Sequence, residues 1–256
     1  MILVLAGTAD AREVIGSLRA AGYRVAASTV TGYGARLARA AGAARVHEGP
    51  MAGKDLIGYI NEEGIRAVVD ATHPFATTIT AAARQVCRDL SLPYFRYRRP
   101  EVQLPAHPEV LLAASYEEAA LLAARGEVIF LTTGSRHLER FTTAPALAGK
   151  RIVARVLPEE TSLVRCRALG LLPGDIVAIQ GPCSYELNQA LYRQFDAAVV
   201  VTKDSGTTGG VMAKIQAALD LGLTVVVLRR PPEPDSLTLA EIMLALSEKL
   251  FTEEKQ

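Results

Sequence analysis

Apolar, β-branched runs recur along nearly the whole chain, separated by alanine- and leucine-rich stretches, and this alternation constrains the fold more than any other feature. Strands are predicted near 2–6, 24–29, 44–47, 67–71 and 93–97, with a second set near 127–132, 152–156, 175–180, 197–202 and 223–229. Ala197-Ala198-Val199-Val200-Val201 and Val225-Val226-Val227-Leu228 are unbroken apolar runs. Such runs suit strands covered on both faces of a parallel sheet. The intervening segments carry helix signals. Asp10 with Glu13 reads as a capping box, Val14 and Leu18 share a face, and Gly22 closes the helix. Residues 211–221 repeat the pattern before Gly222. Five βα units followed by five more predict an α/β protein of two Rossmann-like, doubly wound parallel-sheet domains.

The join is predicted where composition changes. Arg98-Arg99-Pro100 leads into Pro105 and Pro108, and proline fixes φ and removes a donor, so an extended connection is expected there. The domains are then 1–98 and 99–256. A second cluster, Pro231, Pro232 and Pro234, precedes an amphipathic helix near 238–250, read as a packing element.

Charge and composition exclude several classes. With 28 basic and 27 acidic side chains the chain carries +1, which gives no electrostatic ground for nucleic-acid binding. No apolar run approaches the roughly 20 residues of a membrane helix, and the opening MILVLAG lacks the basic leader of a signal peptide. Cys87, Cys166 and Cys183 form no CxxC pair, so they read as buried thiols of a cytoplasmic protein without a metal site. GxxxxGK[ST], GxSxG and HExxH are all absent, and none of the eight tyrosines has lysine four positions later.

Chemistry concentrates in the turns that end the predicted strands. In a parallel sheet these turns share one edge, and ligands bind there, where strand order reverses. Gly7, Thr8 and Ala9 lead into the first helix, whose N-terminus favours a phosphate. The alternative is a plain turn with Asp10 as cap. Ser28, Thr29 and Thr31, with Arg36 a turn later, end the second strand without a carboxylate. That suits a 2′-phosphate, hence NADPH over NADH as coenzyme, an ordinary threonine-rich turn being the alternative. Thr72, His73 and Pro74 follow the fourth strand. Pro74 fits the first position of the next helix, His73 either meets a ligand or caps that helix, and Asp70 braces the loop. In the second domain Thr133, Gly134, Arg136 and His137 form one such turn. Lys203, Asp204, Ser205 and Gly206 open another, glycine-rich to Gly210, able to hold an anion on consecutive amides. Lys203 reads as a carboxylate partner, with Asp204 orienting it or relaying a proton.

Taken in order, LAGTADAREV at 5–14, VVDATHPFA at 68–76, FLTTGSRHL at 130–138, IQGPCSYELN at 179–188 and VVTKDSGTTGG at 200–210 resemble the precorrin-6A reductase family of cobalamin biosynthesis. The resemblance implies two Rossmann-like domains facing a common cleft, without the usual glycine fingerprint. The N-terminal domain would hold the coenzyme and the C-terminal domain the tetrapyrrole. It implies reduction of one double bond of precorrin-6A, or its cobalt form, to the dihydro product, with hydride going to one ring carbon and a proton to its neighbour. The substrate would be a tetrapyrrole polycarboxylate, and the next enzyme of the pathway a partner. Arg12, His73, Arg136, His137 and Lys203 are then candidates for charge-assisted hydrogen bonds to its carboxylates. No side chain is singled out as proton donor. Two other readings stand beside this one: a non-redox binding protein for an anionic small molecule, and a different reductase on the same scaffold.

Overall fold

Alternate side chains of the first strand, Ile2–Leu5 (β1), go to opposite faces of its sheet. Ile2 and Val4 enter a core with Val14, Ile15 and Leu18, whereas Leu3 and Leu5 enter another with Leu56, Ile60 and Val86. All four are buried, which is why the run shows no polar alternation. The computed structural model describes residues 1–51, 53–233 and 235–252, with side chains through 249.

From β1 the chain continues through α1 (Ala9–Ala20), β2 (Val25–Thr29), α2 (Gly32–Ala40), β3 (Arg45–Glu48), α3 (Lys54–Glu62), β4 (Ala67–Asp70), α4 (Thr77–Asp89) and β5 (Tyr94–Tyr97). The second unit holds β6 (Val110–Ala113), α5 (Tyr116–Ala123), β7 (Val128–Leu131), α6 (Glu139–Thr142) and β8 (Arg151–Val156). It goes on with α7 (Glu160–Ala168), β9 (Ile176–Ala178), α8 (Tyr185–Gln194), β10 (Val199–Lys203), α9 (Val211–Leu219) and β11 (Thr224–Leu228). A last strand β12 (Ser236–Leu237) and helix α10 (Leu239–Thr252) follow.

Two six-stranded sheets result, ordered β12-β5-β4-β1-β2-β3 and β6-β11-β10-β7-β8-β9, and every pairing in them is parallel. The predicted doubly wound α/β class is therefore correct. In each sheet the order reverses at a central strand: β1, flanked by β2 and β4, and β7, flanked by β8 and β10. Phe130, Val200, Val225 and Val227 line one face of the second sheet and pack with Val211, Ile215 and Ala218 of α9.

Three expectations need correction. Twelve strands are described rather than ten. Val110–Ala113, absent from the predicted strands, is an edge strand because its backbone pairs with β11, Val110 opposite Val225. The two residues of β12 are too few to leave a pattern in sequence. The third concerns the domains. The compact units are Met1–Arg99 joined by the segment from Pro231 onward, and Pro100–Arg230. The C-terminal segment, expected with 99–256, returns to the first unit because β12 pairs with β5, and Ile242 and Leu246 of α10 enter the core beside Ile2 and Val4. Residues 100–109 form no helix or strand, as the prolines require; Pro234 of the second cluster lies outside the described residues.

Candidate functional site

In the first unit, register brings three of the predicted turns side by side. Leu5 at the end of β1 stands opposite both Ser28 and Asp70. The Ala6 amide donates to the Ser28 carbonyl at 2.8 Å, and the Ala71 amide to the Leu5 carbonyl at 3.1 Å. Thr8 Oγ1 donates to the Ala71 carbonyl at 3.2 Å and accepts from the Ala11 amide. Thr8 is thus the N-cap of α1. Asp10, expected as the cap, is instead buried in an ion pair with Arg99 at 2.9 Å. Gly7 has φ +133°, a conformation that only glycine adopts without strain, and no atom lies within 4 Å of where a Cβ would stand. The start of α1 therefore has open space, amide donors and a favourable dipole for an anion.

The flanking turns are more mixed. Ser28 and Thr29 are buried, and Thr31 caps α2 by accepting from the Gly34 amide at 3.1 Å. Arg36 is exposed on α2, its guanidinium 5.8 Å from the Tyr33 ring centroid. A carboxylate that the sequence reading missed enters from β3. Glu48 pairs with Thr29 in register, and a Cβ on Gly32 would stand 2.7 Å from its Oε1. Pro74 does not open a helix, since α4 begins at Thr77; it sits in a turn in which His73 Nδ1 accepts from the Phe75 amide at 3.3 Å. His73 therefore caps this turn rather than α4. Arg12 lies exposed on α1 and, like His73, belongs to the first unit, whereas Arg136, His137 and Lys203 belong to the second.

Asp70 braces more than a loop. Fully buried, it accepts from the Thr72 amide (3.0 Å) and hydroxyl (2.6 Å), Thr80 Oγ1 (2.7 Å), Tyr94 OH (2.8 Å) and Arg96 Nη1 (2.7 Å). Arg96, 1 % exposed, continues to Glu233 at 2.6 Å. Burial, and then the Asp70 charge, push the Tyr94 hydroxyl far above its ordinary range.

In the second unit, the turns after β7 and β10 leave neighbouring strands, with Leu131 opposite Val201. Lys203 Nζ lies 5.8 Å from the Tyr116 ring centroid, and that ring meets His137 at 4.7 Å between centroids with the planes tilted by 40°. Burial, helped by the Arg136 charge, lowers the Lys203 ammonium to about 8. Burial and the Lys203, Arg136 and Arg140 charges hold His137 below the ordinary imidazole value, which favours its neutral ring. Thr133 Oγ1 and Ser205 Oγ are buried with no hydrogen-bond partner among the described residues. Such hydroxyls cost stability until something meets them. The Asp204 carboxylate pairs with Arg230 at 3.0 Å. Tyr116 and the buried Lys214, whose Nζ donates to the Gly209 carbonyl at 2.8 Å, were both missed. Nothing in their spacing marks them, because burial brings them to the turns.

The fold and its turns define the class: two doubly wound α/β units without a glycine fingerprint, each with hydroxyl, amide and cationic groups at its point of strand reversal. A family model, precorrin-6x reductase CbiJ/CobK, matches residues 1–247, and the chain belongs to that family of oxidoreductases. It is 42% identical over 234 residues to the cobalt-precorrin-6A reductase of Priestia megaterium, covering 90% of this chain and 91% of that one. It is 37% identical to the precorrin-6A reductase of Mycobacterium tuberculosis, covering 91% and 90%. A solved structure, CobK precorrin-6A reductase, superposes with a TM-score of 0.74 at 27% identity, covering 96% of each chain. The non-redox binding reading is not favoured by this membership.

Proposed function

We propose that this protein reduces one double bond of the precorrin-6A macrocycle, metal-free or cobalt-containing, with NADPH. The coenzyme, once bound, supplies hydride; the protein binds and orients. In this reading the first unit takes the coenzyme. Gly7, Thr8 and Ala9 would hold its diphosphate, and Ser28, Thr29, Thr31 and Arg36 its 2′-phosphate. Thr72, His73 and Pro74 border the same edge. Glu48 is the group that would favour NADH, so the preference rests on the hydroxyls and Arg36 outweighing it. The second unit takes the macrocycle. The observation that carries this is the pair of buried, unmet hydroxyls, Thr133 and Ser205, on turns that also carry Arg136 and Lys203. A carboxylate would satisfy both hydroxyls and neutralise the cations. Gly134 and Gly206 let backbone approach it. The protein acts in the cytoplasm and hands its product to the next enzyme of the pathway; among the described residues no helix is long and apolar enough to cross a membrane.

Anaerobic coenzyme oxidation, measured with NADPH and NADH against both forms of the macrocycle, tests the reading. Macrocycle-dependent oxidation, faster with NADPH, is expected; none with either coenzyme would overturn it. K203A should weaken macrocycle binding about tenfold and leave coenzyme binding unchanged.

A further inference from the structure

The chain passes between its two compact units twice, at the Arg99–Pro100 and Arg230–Pro231 peptide bonds. An arginine precedes each crossing, and each reaches into the ligand turns of its own unit. Arg99 is 5 % exposed. Its Nη1 lies 2.9 Å from Asp10 Oδ2, and its Nη2 donates to the Thr72 carbonyl at 3.4 Å. It thereby ties the first turn of α1 to the turn after β4, the neighbour of the strand β1 at which order reverses.

Arg230 does the equivalent in the second unit. Its Nε lies 3.0 Å from Asp204 Oδ2 and donates to the Asp204 carbonyl at 3.2 Å. Its Nη2 donates to Asp204 Oδ1 at 3.1 Å and to the Pro100 carbonyl at 3.3 Å. The Gly206 amide donates to the same Oδ1 at 3.4 Å, and a Cβ on Gly206 would stand 3.0 Å from Nη2. The turn that starts at Lys203 is therefore folded around this guanidinium. A planar fork can hold a carboxylate and two carbonyls at once; an ammonium lacks that geometry.

We propose that Arg99 and Arg230 are positioning residues, each fixing the ligand turn of its own unit at a chain crossing, and that neither meets a ligand itself. The inference rests on the proposed function, with coenzyme at the first unit and macrocycle at the second. It makes the two arginines separable by substrate. In steady-state kinetics on the full chain, R99M should raise the coenzyme KM about tenfold and leave the macrocycle KM within about twofold. R230M should do the reverse, and both should keep kcat at saturation. R230K should behave like R230M, since charge without the fork does not hold the turn. The pairs R99M/D10N and R230M/D204N remove both charges, and they carry the test if a single variant does not fold. Folded variants that change both KM values alike, or neither, would overturn the proposal. A reversed split would keep the pinning and overturn the assignment of ligands to units, which K203A checks separately.

Discussion

Asp70 offers the sharpest test of how the first unit is held together. Its Oδ1 accepts from the Thr72 amide, the Thr72 hydroxyl and Arg96, all within 3.0 Å, while Oδ2 accepts only from the Thr80 and Tyr94 hydroxyls. In D70N the amide oxygen can take the Oδ1 position and the amino group the Oδ2 position, where both hydroxyls can rotate to accept. The geometry then survives and only the charge is lost. Arg96 keeps Glu233 at 2.6 Å. The cost should be that of one charge-assisted hydrogen bond, about 2 kcal/mol. D70A removes every acceptor and leaves buried donors unmet, so its cost should be about 4 kcal/mol. For a unit of about 125 residues each kcal/mol lowers the transition by about 4 °C, so scanning calorimetry should show drops of about 8 °C and about 16 °C. If D70A falls no further than D70N, or if D70A falls by less than about 2 °C, the account of the buried network is wrong.

Other outcomes follow from the second unit and from the flanking turns. Lys203 loses its proton near pH 8, so macrocycle affinity should fall as pH rises through about 8, and K203A should lose that dependence. The same lysine has an unperturbed value of 10.5, so the unfolded chain holds the proton longer and stability should rise between about 8 and 10.5 in urea titrations. R36A should reduce NADPH affinity about tenfold and leave NADH unchanged, while E48Q should weaken NADH alone; equal effects on both coenzymes would remove these residues from the discrimination. Cys87, Cys166 and Cys183 are all buried, and burial lifts the Cys87 thiol to about 11. A disulfide reagent should label none of them in the native protein and all three after unfolding.

The strands that were legible in the sequence are those buried on both faces. Ile2–Leu5 and Val199–Val201 had to be apolar at every position, and that constraint shows in the residues themselves. The strands that escaped notice owe their state to a partner: β6 is extended because β11 pairs with it, and β12 because β5 does. The turns divide in the same way. Gly7, Thr72 and Lys203 follow strand ends, so the parallel pattern was enough to bring them to an edge. Glu48 reaches the second turn through sheet register, and Asp10 meets Arg99 across most of the first unit's sequence. Neither distance is encoded in spacing. The lowered imidazole of His137 was equally hidden, because burial and then three cations from separate positions cause it.

The return of the C-terminal segment fixes the order in which a nascent chain can complete its parts. Pro100–Arg230 is one uninterrupted segment that carries all six strands of its own sheet, so that sheet needs no strand made after Arg230. The earlier-made portion must wait: until β12 and α10 arrive, β5 is a bare sheet margin and Ile2, Val4 and Val14 lack the cover of Ile242 and Leu246. A stop codon that removed only the last helix would thus spare the later-made half and leave the first-synthesised half sticky, a target for chaperones and proteases.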